Sequence, residues 1–394
     1  MDGAKSQLKK RPVPGLVHGA LMAEMIADES GQLIFAVNSG PPFREELAIE
    51  KEILVPLRVK RFVETHSLHL PSGVERGATA EDLICEIEVF LWNWVDIPDE
   101  WLKPIAHYCL MTWVYDYFTA VPYLRFLGEY GTGKTRMLQV AAALSYRSLA
   151  VSGNITGAAL FRSIDSIRGT LAIDEADFKN SAEWSDITKV LNNGYTPGFP
   201  IVRCDGVDAT FTPQLFYVYG PKIISTRHRF EDAALESRCI TFETQERKVD
   251  PRIPLQLSPA FYEEAVALRN KLLGWRFDNF RSIETDDSAL RQLDGRIGQV
   301  GASLLAVAPD KEAMVNFLNR YAHSTKEDSP KEIVRQILAE KRGKLSVAEV
   351  TRAANQRLQG SGLNPLTYRA VGSIVRSLGC RTKRMNTGYI VERG

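Results

Sequence analysis

Short apolar runs at Gln32–Val37 and Ile53–Val59, separated by Ser39-Gly40-Pro41-Pro42, predict a β-leaning region over residues 1–78. From Thr79 the pattern turns helical. Leu83, Ile84, Ile87, Phe90, Leu91 and Trp94 recur at about a 3.6-residue period behind the start signal Thr79-Ala-Glu-Asp. Pro98-Asp99 interrupts, and a second helix is expected from Glu100 to Phe118, with Trp101, Tyr108, Trp113, Tyr115 and Tyr117 packing into a core. Residues 121–245 then alternate β-rich and helical stretches, the pattern of an α/β sheet. Strands are expected at Tyr123–Leu127, Thr170–Ile173 and Lys222–Ser225, with a helix over Lys134–Leu144. Pro251 to Ser324 reads as mostly helical, with long runs at Pro259–Trp275 and Leu290–Ala306. Ser324–Ser329 reads as a polar linker before a small C-terminal unit. The divisions that follow are 1–78, 79–250, 251–325 and 326–394.

Charge changes this picture only locally. The 394-residue chain carries 49 basic and 48 acidic residues, so its global balance points to no nucleic-acid partner. Residues 341–394, however, hold eleven basic residues against two acids, Glu349 and Glu392, a field suited to phosphate. Five cysteines are dispersed with no CxxC pair, as expected of reduced thiols in a cytoplasmic protein. Met1 to Pro14 is polar with no apolar segment behind it, so no signal peptide is expected. The most apolar stretch, Trp101–Leu127, is broken by Lys103, Pro104, His107, Asp116, Pro122 and Arg125, and no membrane span is expected.

The chemistry concentrates in Gly128-Glu-Tyr-Gly131-Thr132-Gly133-Lys134-Thr135, which satisfies G-x-x-x-x-G-K-[ST] between an apolar strand and a helix. Glycines at these positions let backbone N–H groups converge on phosphate oxygens at a helix N-terminus. Lys134 would reach the β- and γ-phosphates, the Thr135 hydroxyl would ligate Mg²⁺, and Arg136 flanks the site. Downstream, Thr170-Leu-Ala-Ile-Asp174-Glu175 ends a buried strand in two acids at the sheet edge where ligands bind. Asp174 would hold Mg²⁺ and Glu175 would polarise the attacking water. Ser225-Thr226-Arg227 ends a third strand in hydroxyls and a cation, where Thr226 could sense the γ-phosphate or help place the water. Glu236-Ser237-Arg238 precedes a further strand, and Arg238 could enter a neighbouring subunit's site as an arginine finger; a surface salt bridge is the bland alternative.

Apolar alternation around Asp205-Gly206 predicts a hairpin with Arg203 beside its tip. In the basic terminus, Ser329-Pro330 and the capping box Ser346-Val-Ala-Glu349 start two helices, and a third runs from Thr367 to Leu378. Arg369, Ser373 and Arg376 share one face of it, and Arg381 to Val391 reads as two strands around a turn. Such a unit could bind nucleic acid through Arg369, Arg376, Lys383 and Arg384, or dock a protein.

In this order, the loop Gly128–Thr135, Asp174-Glu175, Ser225/Thr226 and Glu-Ser-Arg238 resemble the Walker A, Walker B, sensor 1 and arginine-finger elements of AAA+ ATPases. Over residues 80–394 the chain resembles MCM-like replicative helicases of phages, plasmids and other mobile elements. The resemblance implies an α/β P-loop core with a parallel sheet, a helical lid and a C-terminal winged helix. It further implies a ring, usually a hexamer, with ATP·Mg²⁺ between subunits and DNA in the pore. It makes the hairpin a DNA-touching element with Arg203 on a phosphate, and asks for a sensor-2 arginine, Arg291 or Arg296. The segment Ala150–Arg168 is too short for the helix-2 insertion of MCM proteins proper. The expected activity is ATP hydrolysis that drives translocation on or unwinding of DNA. The rivals are a nucleotide-switched DNA-binding regulator and a protein-remodelling or packaging ATPase.

Overall fold

The computed structural model describes residues 9–176, 182–205, 212–246, 249–285, 287–293, 295–327, 329–341, 345–358, 365–385 and 388–392. The N-terminal region is β-rich as expected: β1 (Lys9–Val13), β2 (Gly15–His18), β3 (Leu21–Ala27), β4 (Leu33–Val37), β5 (Phe43–Arg44), β6 (Leu47–Ile49) and β7 (Glu52–Pro56). They form two small sheets, β1-β7-β6 and β2-β3-β4-β5. After α1 (Lys60–Glu64), β8 (Leu68–His69) pairs antiparallel with Leu149 and Ser148. The N-terminal region thus supplies the edge strand of the central sheet. It shares an apolar cluster with that sheet, in which Phe35, Leu54 and Leu68 meet Leu149 and Ile167.

Helix α2 (Ala80–Trp94) starts on a complete capping box between Thr79 and Asp82 and buries all six of its periodic apolar residues. Helix α3 (Asp99–Thr112) stops six residues short of the expected end, and Tyr115–Tyr117 form a 3-10 turn. Tertiary ties redirect the chain there. The Thr112 hydroxyl accepts from the Tyr146 amide at 2.9 Å, and the Trp113 indole donates to the Leu144 carbonyl at 2.9 Å. Tyr108, Trp113 and Tyr115 are buried, but Tyr117 is 43% exposed, so the core expected for the aromatics excludes it.

The central layer contains β9 (Tyr123–Leu127), α4 (Lys134–Leu144), β10 (Ser148–Ser152), α5 (Gly157–Ile167), β11 (Leu171–Asp174) and α6 (Ala182–Asn193). It continues through β12 (Ile201–Asp205), β13 (Thr212–Phe216), β14 (Lys222–Thr226), α7 (Ala233–Glu236) and β15 (Cys239–Glu243). The sheet order is β15-β9-β14-β11-β10-β8, with the first five strands mutually parallel. This is a mixed α/β chain built on a parallel sheet. Helix α4 packs with α2, α3 and α8 on one face, and α5 and α6 cover the other. Opposite faces follow from right-handed crossovers that run in opposite directions along the sheet. Strand β14 lies between β9 and β11, so the strand leading into the glycine loop and the strand ending in Asp174 are separated by a single strand.

Two cations are buried in this sheet. Arg125 forms a two-pronged pair with Glu236, one prong at 2.6 Å, and bonds the Thr241 hydroxyl. Lys222 donates to the Gly194, Val218 and Gly220 carbonyls, each at 2.8 Å. Burial drives its ammonium well below the usual lysine range.

The helical segment comprises α8 (Pro259–Asn279), α9 (Asp287–Leu290), α10 (Gly295–Ala306) and α11 (Lys311–Glu327). The run expected over Leu290–Ala306 is broken between α9 and α10. The linker expected at Ser324–Ser329 is largely absent, because α11 continues to Glu327. Asp310 caps that helix, Met314, Val315 and Leu318 bury its stripe, and the Tyr321 hydroxyl accepts from the Thr241 amide at 2.8 Å.

The C-terminal unit is α12 (Pro330–Glu340), β16 (Leu345–Ser346), α13 (Val347–Arg357), α14 (Tyr368–Ser377), β17 (Arg381–Met385) and β18 (Gly388–Glu392). Its antiparallel sheet has the order β16-β18-β17, and its own core holds Val334, Ile337, Val350, Val371 and Val375. Ser329, Ser346 and Thr367 cap the three helices, each accepting from a backbone amide.

Candidate nucleotide site

The glycine loop joins the buried strand β9 to α4 at the carboxyl edge of the sheet. Gly131 and Gly133 take φ +79° and +83°, conformations other residues rarely adopt. Gly128 is required for space: a Cβ there would lie 2.0 Å from the Thr244 hydroxyl. The Gly128 amide bonds the Thr226 carbonyl at 3.1 Å, which fixes the loop's root to β14. Thr132 bonds the Glu129 carbonyl at 2.9 Å and meets the Thr244 hydroxyl at 2.6 Å. Lys134 turns its ammonium onto the Glu129 carbonyl at 2.5 Å, so its charge sits over the loop. Thr135 is exposed in the first turn of α4, and Tyr130 stands 82% exposed at the loop tip with the Arg227 guanidinium 6.0 Å from its ring. Thr244 escaped the sequence reading; only the pairing of β15 with β9 reveals that this hydroxyl backs the loop. Gly128→Ala is expected to push the loop off Thr244 and weaken nucleotide binding by about tenfold or more, measured as Kd by fluorescence titration.

Asp174 ends β11 on the face that carries α4. There its carboxylate accepts from the Ser225 hydroxyl and, at 3.1 Å, from the Glu175 amide. The same Ser225 oxygen accepts from the Glu175 amide at 3.0 Å. Glu175 is exposed with φ +55°, a conformation uncommon outside glycine. Strand alternation corrects the choice of hydroxyl. Ser225 lies on the Asp174 face, whereas Thr226 points to the opposite face, buried, and its Oγ1 finds no partner among the described residues.

Two adjoining cavities flank the loop. One of about 400 Å³ is lined by Trp101, Thr132, Met137, Arg229, Thr244 and Tyr321, among others. The other, about 180 Å³, is more apolar and lies between Gly131–Gly133 and Val95, Val249, Ile253 and Leu255. Both include Thr132, Met137 and Gln245. Arg136 does not reach over the loop: its guanidinium bonds the carbonyls of Leu255 at 2.6 Å and Pro254 at 3.1 Å, holding that wall in place. The wall residues carry no local motif, which is why the sequence did not mark them.

Arg238 lies at the opposite, amino edge of the sheet. It is 8% exposed, bonds Asn192 at 3.1 Å and sits 4.2 Å from the Tyr195 ring. It therefore does not project from the chain as the finger expected of it, nor does it form a surface salt bridge among the described residues. Arg296 bonds the Tyr195 hydroxyl at 3.2 Å on the same edge, away from the glycine loop, and Arg291 is exposed between α9 and α10. Burial alone would raise the Tyr195 phenol, but the Arg296 hydrogen bond and the charges of both arginines bring it below its usual range.

The expected hairpin exists as β12 and β13, closing at Asp205 opposite Thr212; its tip, 206–211, lies outside the described residues. Arg203 is paired with Asp186 at 3.0 Å, two residues below that closure. On the C-terminal unit, Arg369, Ser373 and Arg376 share the exposed face of α14, and Lys383 and Arg384 are exposed on β17. Exposed Tyr368 begins α14, and exposed Tyr389 lies on β18 opposite Arg384. Arg342, Lys344 and Arg393 lie outside the described residues.

No protein-family profile and no curated protein matches the chain. Among solved structures, it is similar to the apo A form of the NrS-1 C-terminal region, with 14% identity and TM-score 0.36 over 89% of this chain and 82% of that one. A second A-form structure of that region, residues 305–718, gives 11% identity and TM-score 0.35 over 94% and 96% of the two chains. At these scores the likeness is too weak to assign fold or activity. No helix among the described residues is long and apolar enough to cross a membrane.

Proposed function

We propose that this chain is a P-loop ATPase of the AAA+ type that hydrolyses ATP with Mg²⁺ to move along or unwind DNA, as in replication of a mobile or viral genome. The observation that carries the reading is one sheet edge bearing both the glycine loop after β9 and the Asp174–Ser225–Glu175 cluster after β11. The residues fit the nucleotide. A cradle that excludes any Cβ at Gly128, a lysine over the loop and an exposed hydroxyl at Thr135 suit triphosphate. The apolar lobe beside Gly131–Gly133 suits a base. Mg²⁺, which needs only one or two protein oxygens besides phosphate, would be held by Thr135 and Asp174 and would neutralise charge on the phosphates. Lys134 adds a second positive charge to the transferred phosphoryl group. Glu175 orients and deprotonates water, with its backbone fixed through Ser225. Ser225 takes the sensing role in place of Thr226.

Arg296, exposed at the amino edge far from the chain's own loop, would occupy the position from which a neighbour's nucleotide is reached in a ring, with buried Arg238 supporting Tyr195 behind it. The C-terminal unit is read as a winged helix, with α14 in the major groove and β17–β18 as the wing. Its exposed cations and tyrosines suit phosphate and sugar.

The test is steady-state ATP turnover with and without single-stranded DNA. Stimulation supports a motor. A rate indifferent to DNA removes the motor and leaves the regulator and remodelling readings. Arg369→Glu with Arg376→Glu is expected to lower duplex affinity by about tenfold or more at fixed salt while leaving DNA-free turnover unchanged. Filter binding and the salt slope measure it, and unchanged affinity would assign the unit to protein docking.

A further inference from the structure

A cavity of about 230 Å³ opens between α3 and α11, away from the glycine loop. Pro104, Met314 and Phe317 make its apolar wall, and Lys103, Asp310 and Arg320 line it with charge. His107 also lines it and is 1% exposed. The imidazole Nδ1 lies 2.7 Å from the Lys103 carbonyl, a contact that requires the proton on Nδ1. Nε2 therefore carries a lone pair, and among the described residues it has no partner. Burial holds this histidine down to about 4, so the ring is neutral at physiological pH. Pro104 stands inside α3 and has no N–H for the Glu100 carbonyl one turn earlier, and Glu100 lines the same cavity. Buried acceptors are normally satisfied.

We propose that this cavity binds a small planar aromatic molecule with an N–H or O–H donor, of the phenol or indole class, its ring against Met314 and Phe317 and its donor on His107 Nε2. The volume admits one ring, and thioether and phenyl groups favour contact with one. The donor is what distinguishes the site from a greasy hole. Glu100 also lines the larger cavity beside the glycine loop, so the two sites share a wall.

The test is titration of the full chain with phenol and with toluene, its near-isostere lacking the donor, read by calorimetry and by the His107 ¹⁵N imidazole shift. Phenol is expected to bind saturably with a Kd of about 1 mM or tighter. Toluene should bind about tenfold more weakly, and only phenol should move the Nε2 resonance. Ala313→Phe, at an exposed position on the rim, should abolish phenol binding without affecting folding. His107→Phe should abolish the preference for phenol. No saturable binding by phenol, equal binding of toluene, or unchanged phenol binding in Ala313→Phe would overturn the proposal.

Discussion

Lys134→Ala is expected to lower ATP turnover by about a hundred- to a thousandfold, the usual loss when one preorganised donor to a developing oxyanion is removed. The fold should be indifferent to the change. Lys134 is only half-buried, its ammonium bonds a carbonyl of its own loop, and the first turn of α4 is closed by the Met137 amide on Gly133. Glu175→Gln sharpens the result, because it keeps the backbone amide that bonds Ser225 while removing the base. It should retain ATP binding and lose hydrolysis, whereas Lys134→Ala should weaken both. Turnover within a few-fold of wild type in both variants, measured by phosphate release at saturating ATP, would remove the assigned roles. A loss that came with a lower unfolding midpoint would reveal a structural effect instead.

Glu24→Ala is expected to cost about 3–5 kcal/mol, the range for breaking a buried ion pair from one side. Glu24 is 2% exposed on β3. It accepts from the Tyr146 hydroxyl at 2.7 Å, from Arg276 Nε at 2.8 Å, and from Arg147. Arg276 in turn bonds Asp116 at 2.7 Å and the Trp113 carbonyl at 2.5 Å. Three separate parts of the chain, an N-terminal strand, the segment after α4 and the long helix α8, meet on one carboxylate. Removing it leaves Arg276 on Asp116 and strips the buried Arg147 of the carboxylate it bonds. Urea denaturation should show the loss as a shift of the midpoint, and a shift under about 1 kcal/mol would mean that water replaces the carboxylate.

The legible parts of the fold were those with local signals. Strand β9, the glycine loop and α4 were bounded correctly because strand, turn and helix follow one another without interruption. Thr79, Ser329, Ser346 and Thr367 announced their helices because capping is a contact within four residues. What remained hidden depends on partners distant in sequence. The short β8 carries no periodicity, and its place beside β10 follows only from packing. Arg125, Lys222 and Arg276 look like surface cations in any window, since charged residues are rarely buried unless partnered. Choosing Ser225 over Thr226 required knowing which face of β14 meets Asp174. Arg238 read as a projecting side chain because Asn192 and Tyr195, which hold it, belong to another part of the chain.

The length of α11 has a mechanical consequence. It reaches Glu327, and α12 begins at Pro330, so only residues 328 and 329 separate the two helices. The three Cα–Cα steps from Glu327 to Pro330 span at most about 11 Å even when fully extended. There is almost no slack between the last helix of the helical segment and the basic unit. A displacement of α11 larger than that reach is transmitted to the arginines of α14 rather than absorbed by the connection.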